Sequence, residues 1–283
     1  MRRNLEHADS HMTLPKSITR RRAIATLGGA SVATLLAACG SSSKSSGTTT
    51  TSAQSGSTTL NSSSSTASTA AIDASCTTIP QETAGPYPGD GTNGPNVLDL
   101  DGVVRQDIRS SIGELSGTAE GIDLIIELTL TDAQDGCTPL AGAAVYVWHA
   151  DAEGRYSLYS NGATDQNYLR GVQVTDDVGK VSFTTVFPGC YEGRWPHVHF
   201  AVYPDMAIAK TGGQPRTTSQ LAFPQETAAE AYVDTRYPSS ASRLASLSLA
   251  SDGIFNDDGA ALQLATMSGT AQDVYTARLT FAA

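Results

Sequence analysis

Between Gly189 and Phe200 the chain reads Gly-Cys-Tyr-Glu-Gly-Arg-Trp-Pro-His-Val-His-Phe, placing Tyr191, Arg194, His197 and His199 within nine residues. His197 and His199 open an apolar run that continues to Tyr203. Such a run predicts a strand, and residues two apart on a strand project from one face. Two imidazoles on one face are half of a metal site. Tyr191 follows Pro188-Gly189, a turn able to fold it back over that face. A second tyrosine, Tyr156, closes the segment Trp148-His149-Ala150-Asp151-Ala152-Glu153-Gly154-Arg155-Tyr156. Two phenolates with two imidazoles suit a hard, highly charged cation, and ferric iron fits that donor set better than zinc. A His-x-His pair alone also occurs as surface or barrel lining. The neighbouring tyrosines and Arg194 turn the reading toward a metal.

Further segments accompany these residues in order. They are Gln81-Glu82-Thr83-Ala84-Gly85-Pro86-Tyr87, Pro139-Leu140-Ala141-Gly142-Ala143, Leu169-Arg170-Gly171-Val172-Gln173-Val174-Thr175-Asp176 and Thr218-Ser219-Gln220-Leu221-Ala222-Phe223. Together with Arg194-x-x-His197-x-His199, the set resembles the intradiol ring-cleavage dioxygenases, the family of catechol and protocatechuate 3,4-dioxygenases. The resemblance runs from about Cys76 to Phe223 and less clearly beyond. It implies a mononuclear non-haem Fe(III) held by Tyr156, Tyr191, His197 and His199, with hydroxide or water in a fifth position. It also implies a catechol-type substrate and O2, with the ring opened between its hydroxyl-bearing carbons to a cis,cis-muconate-type product. Tyr191 matches the tyrosinate that the catechol displaces, and Arg194 the arginine beside the attacked ring carbon. These two are the expected catalytic residues. Pro86, Tyr87 and Gln220 match positions lining the substrate mouth and pocket. Cys190 stands where the exported members carry tryptophan, and Ala150 where many carry cysteine. No helical dimerisation domain precedes Cys76, which favours the protocatechuate-like core, here as a single chain.

The front of the chain reads as an export segment. Thr19-Arg20-Arg21-Arg22 precedes a short apolar stretch, Ala23 to Ala38, as in a signal peptide. The arginines suggest the twin-arginine route. Leu36-Ala37-Ala38-Cys39 looks like a bacterial lipobox with Cys39 as the lipidated residue. The stretch is short for a membrane span of about 20 residues. Residues 1–39 are therefore expected to be the signal. Residues 40–75, mostly Ser, Thr, Ala and Gly, are the expected flexible tether, and 76–283 the catalytic domain. The expected location is the outer face of the cytoplasmic membrane, with the lipid anchor as the sole membrane contact. Plant or lignin-derived phenolics would be met there.

The first 44 residues hold 7 of the 18 basic and 2 of the 28 acidic residues, leaving 11 and 26, a net of −15, for the rest. So acidic a surface argues against nucleic acid and anionic membranes as partners. Three cysteines follow Cys39. Cys76 and Cys137 both lie in loop-like context and form the expected disulfide, leaving Cys190 as a buried thiol; pairings with Cys190 stay open.

Short apolar runs separated by turn residues predict an all-β fold: a β-sandwich of mainly antiparallel strands with long loops and little helix. The expected strands are Ile122–Leu130, Ala144–His149, Arg170–Thr175, Val181–Phe187, His197–Tyr203, Thr217–Phe223 and Val274–Phe281. Asp176–Gly179 is expected to be a hairpin turn, and Glu226–Val233 the one helix. The long loops are Ala150–Leu169, Pro204–Arg216 and Pro238–Gly259. Trp148 is expected in the core, Glu82 and Asp151 as loop hydrogen-bonding groups, and Arg170 in a core-edge ion pair; His149 could stand as a third imidazole near the metal, but four protein ligands already fill the site, so it is not expected to be a ligand. Association through sandwich faces would give a homodimer. Two other functions compete: an anchored sandwich that binds an aromatic or carbohydrate ligand without turnover, and a ferrous two-His-one-carboxylate oxygenase using Glu192.

Overall fold

The computed structural model describes residues 76–283. The export segment, Cys39 and the tether lie outside the described residues. Among the described residues nine strands form two sheets. In chain order they are β1 (Asp123–Asp132), β2 (Thr138–Pro139), β3 (Ala144–Trp148), β4 (Arg170–Val174), β5 (Lys180–Val186), β6 (His197–Tyr203), β7 (Thr217–Ala222), β8 (Thr266–Ser268) and β9 (Tyr275–Ala282). One sheet runs β4-β3-β6-β7, all antiparallel. In the other, β1 pairs antiparallel with β2 and β5 and parallel with β9, which pairs with β8. Among the described residues the helices are short: α1 (Met206–Lys210), α2 (Gln225–Ala231) and α3 (Ser240–Leu244). The fold is an all-β sandwich.

β1 shows why. Leu124, Ile126, Leu128 and Leu130 alternate with more exposed residues and are at most 1% exposed, so one face of the strand is apolar. Each such side chain stabilises by roughly 1.5–3 kcal/mol when fully buried. They meet Val145 and Val147 of β3 and Val198, Phe200 and Val202 of β6 in the core between the sheets. The opposite parity of β3 and β6, Tyr146, Trp148, Ala201 and Tyr203, packs in a second cluster with Val97, Leu98 and Val103. Both faces of β6 are therefore buried, which is why its run is apolar throughout except for the two histidines. An irregular segment covers that outer face, pinned by the bridge from Val104 to Val172.

Three expectations change. Asp176–Gly179 is not a hairpin turn. β4 and β5 belong to different sheets, and the turn is a corner between them, tightened by Asp176 Oδ1 accepting the Val178 and Lys180 amides. Two of the expected loops contain α1 and α3, whose five residues are too few to set up an apolar periodicity. α1 is started instead by Asp205, whose side chain accepts from the Ile208 amide. β2 and β8 are also too short to read. Cys76 and Cys137 are joined in a disulfide with Cα atoms 5.4 Å apart, and Cys190 is free and buried.

Candidate metal centre

Tyr156, Tyr191, His197 and His199 converge. The strand alternation of β6 puts both imidazoles on its outer face, and the loops before β4 and β6 bring the phenols over them. Tyr191 Oη lies 3.3 Å from Tyr156 Oη and 3.2 Å from His197 Nε2. Tyr156 Oη is 3.5 Å from His197 Nε2, which is 3.1 Å from His199 Nε2. Tyr156, His197 and His199 are buried, whereas Tyr191 is partly exposed.

The local frame orients each donor. His197 Nδ1 meets the Trp195 carbonyl at 2.5 Å, so it carries the proton and leaves an Nε2 lone pair facing the cluster. His199 stacks flat on Trp148, with centroids 5.0 Å apart and planes at 7°. Its Nδ1 is buried without a partner. Trp148 is thus a core residue, as expected, and also a backing plate for His199. Burial, with Arg194 adding, pushes the His197 imidazole down to about 3. Burial and then His197 hold His199 well below its ordinary value. Both rings are neutral, the form that ligates metals. Burial raises both phenols, Tyr156 strongly, while Arg194 pulls each the other way.

These atoms fit a ferric ion. The separations of 3.1–3.5 Å that link the four donor atoms are of the size expected between neighbouring ligands of one ion held at about 2 Å from each. His197 turns a lone pair toward the cluster, His199 Nε2 faces it at 3.1 Å, and a cation held there would take both imidazoles, while phenol oxygens supply the anionic character that a trivalent ion requires. Among the described residues no group of three or more His, Cys, Asp or Glu could hold a metal. Glu192 is exposed, so the two-His-one-carboxylate arrangement does not form.

Arg194 stands beside the cluster and is held on two sides. Its Nε donates to Asp252 Oδ2 at 2.9 Å and its Nη2 to Gln220 Oε1 at 2.6 Å. Gln220, fully buried on β7, passes the connection on by donating to the Thr83 carbonyl at 3.2 Å. Asp252 went unrecognised in the sequence. It lies 58 residues from Arg194, and only the Asp-Gly turn around it offered a local signal. It is completely buried, and burial alone would raise its pKa. The Trp195 amide and Arg194 outweigh that and hold it below the ordinary value.

The segment 85–89 lies over the cluster as a strap. Gly85, at φ +69°, is so close that a Cβ there would sit 3.4 Å from His199 Cε1. The Tyr87 ring is 5.0 Å from that of Tyr156, so Tyr87 borders the site. Pro86 is exposed, and its carbonyl accepts from Asn93 Nδ2. The other residues separate here. His149 is no ligand, in line with the expectation: its Nε2 faces Thr185 Oγ1 at 2.7 Å and its Nδ1 the Ala150 carbonyl at 2.8 Å. Asp151 is a loop organiser, accepting from the Glu153 and Arg155 amides, and it pairs with the Arg155 side chain. Glu82 borders the acidic Asp257 and Asp258, and burial and these neighbours raise its pKa. Among the described residues Arg170 has no ion-pair partner, and its acceptors there are all uncharged. A polar groove of about 360 Å³ lies elsewhere, lined by Asp151, Arg155, Tyr168 and Arg236 among others, and none of the four converging residues borders it.

A family model described as Dioxygenase (Dioxygenase_C) matches residues 94–226, a span that holds all four converging residues, Arg194 and Gln220. The solved structure of an intradiol ring-cleavage dioxygenase from Tetranychus urticae superposes with a TM-score of 0.58 at 27% identity, covering 73% of this chain and 94% of that one. A chlorocatechol 1,2-dioxygenase of Rhodococcus opacus is 40% identical over 55 residues, 19% of this chain and 21% of that enzyme. A catechol 1,2-dioxygenase of Acinetobacter lwoffii is 37% identical over 103 residues, 30% of this chain and 32% of that enzyme. The chain thus spans about a fifth to a third of the length of these two curated relatives.

Proposed function

Because this chain belongs to the intradiol ring-cleavage dioxygenase family, we propose that it holds one non-haem Fe(III) through Tyr156, Tyr191, His197 and His199 and cleaves a catechol-type ring with O2 to a cis,cis-muconate-type product. The observation that carries this reading is the packing of two phenol and two imidazole donors, linked by separations of 3.1–3.5 Å. When bound, ferric iron supplies Lewis acidity and a redox partner for the chelated substrate and O2.

The remaining work falls to the protein. Tyr191 is the partly exposed ligand, so an incoming catechol reaches it before the three buried ones. Its Oη would be placed to accept one of the two protons that a bound catechol must lose, becoming a neutral phenol. His197 and His199, fixed by the Trp195 carbonyl and the Trp148 ring, stay in place. Arg194, clamped by Asp252 and Gln220, presents a preorganised positive charge to the negative charge that develops on the ring. Gly85 packs against His199 and Tyr87 against Tyr156, so this strap borders the path by which substrate would enter. Export, the lipid anchor at Cys39 and homodimer formation belong to the same proposal as its cellular setting.

The test is a visible spectrum of the purified protein, before and after anaerobic addition of catechol. A broad tyrosinate-to-iron band that shifts with catechol, followed by O2 uptake and a muconate product, is expected. Tyr156→Phe and Tyr191→Phe should each change that band. A protein that stays colourless after ferric reconstitution would overturn the reading.

A further inference from the structure

Arg170 is 1% exposed, yet no carboxylate pairs with it among the described residues. Its Nη1 donates to the carbonyls of Tyr87 and Pro88, both at 2.9 Å, and to Tyr146 Oη at 3.3 Å. Its Nε donates to Ser157 Oγ at 3.0 Å and its Nη2 to the Ser157 carbonyl at 2.9 Å. A buried cation is costly even when hydrogen-bonded, and an apolar side chain fills a core at less cost. What a guanidinium offers instead is one rigid plane able to bind two separate segments at once.

The two segments it binds both touch the candidate centre. One is the strap 85–89, with Gly85 against His199 and Tyr87 against Tyr156. The other is the loop that continues directly from Tyr156. Tyr159 closes the same knot: its Oη accepts from the Gly89 amide at 2.9 Å, and its ring lies 5.2 Å from Tyr87 and 5.5 Å from the Arg170 guanidinium. Position 89 is shaped to this contact. Gly89 has φ +64°, and a Cβ there would lie 2.8 Å from Arg170 Nη1. Only glycine lets the strap approach so closely.

We infer that Arg170 is a positioning residue: it ties the strap covering the site to the loop carrying Tyr156, so that the entrance and one ligand are placed as a single body. Its effect on turnover rests on the proposed dioxygenase reading; its role as a tie does not.

Hydrogen–deuterium exchange of the metal-free full chain tests the tie, comparing wild type with Arg170→Met and Arg170→Lys. Lysine keeps the charge but has no fork to span both segments. In both variants exchange is expected to rise about tenfold or more at 85–89 and 156–159 together, while β6 keeps its wild-type protection. In the metal-loaded protein, KM for catechol should rise about 10-fold or more, with kcat changing less. An unchanged strap, a strap that loosens without 156–159, or a rise of equal size through β6 would each overturn the inference. So would a lysine variant that restores both protection and KM. Should the methionine variant fail to fold, the lysine variant decides by the same readings. If the exchange result holds while wild type turns over no catechol, the tie stands and the dioxygenase reading falls.

Discussion

Replacing Asp252 with asparagine exchanges one oxygen for an amide nitrogen and leaves the size of the side chain almost unchanged. The carboxylate accepts four hydrogen bonds. Oδ2 takes Arg194 Nε at 2.9 Å and the Trp195 amide at 2.7 Å, and Oδ1 takes the Ile254 and Phe255 amides at 2.8 and 3.1 Å. Asparagine has a single acceptor oxygen, so two of the four donors lose their partner whichever way the amide turns. One orientation sets its NH2 against Arg194 and Trp195; the other sets it against two backbone amides. A buried donor without an acceptor costs about 1–3 kcal/mol, and a broken buried ion pair about 3–5 kcal/mol. Asp252 is 0% and Arg194 17% exposed in the side chain, so solvent relieves little of this. The expected loss in unfolding free energy is about 3–5 kcal/mol, read from urea titrations with an unchanged m-value. Turnover should fall by about 10²–10³-fold through the displaced Arg194, with metal content unchanged. The pH dependence has a definite sign. The folded pKa lies below the ordinary 3.8, so this stability is fully present above that pH and is lost as pH falls through the folded value. The asparagine variant should lack that acid limb. A variant within about 1 kcal/mol of wild type that retains full turnover would refute the reasoning.

Two further outcomes follow from the geometry. Cys76→Ser with Cys137→Ser opens a bridge across 61 positions and should cost about 4 kcal/mol of stability without changing the visible band, measured by denaturant unfolding of the two proteins side by side. The metal-free protein should lose stability as pH drops from 6.5 toward 4, because burial, opposed by the Ala150 carbonyl, lowers His149 to about 4 and the unfolded chain takes up the proton first. At about 1.4 kcal/mol per pH unit that share is about 3 kcal/mol, and His149→Gln should remove it from a pH series of thermal melts. A pH profile unchanged by the substitution would refute it.

The parts of the site that were legible share a property: their signal is local. His197 and His199 declare a common face through a two-residue spacing in an apolar run, and Tyr191 and Arg194 sit within the same twelve-residue segment. The alternation in β1 likewise announces a half-buried strand. What escaped reading depends on distant partners. Asp252 looks like any turn aspartate until Arg194 and the Trp195 amide are brought to it from 58 and 57 positions away. Arg170 looked like half of an ion pair because its acceptors are mostly backbone carbonyls, which no residue type reveals. The turn at Asp176 has the composition of a hairpin, yet strand pairing is decided elsewhere, by β1 for β5 and by β3 for β4.

The parallel pairing of β1 with β9 imposes an order of assembly. Leu124 is opposite Tyr275, and Thr131 meets Phe281 across 150 positions. By contrast, the four strands of the sheet that carries the two histidines all fall between Ala144 and Ala222, interrupted only by β5, and are complete once β7 has emerged from the ribosome. During synthesis the histidine strand therefore acquires its neighbours early, while β1 waits with one edge bare for β9, which is made after all four of those strands. Closing so long a loop is entropically slow. The rate-limiting event in folding is thus expected in the sheet without the two histidines, and the nascent chain exposes a pairing-competent strand until β9 appears.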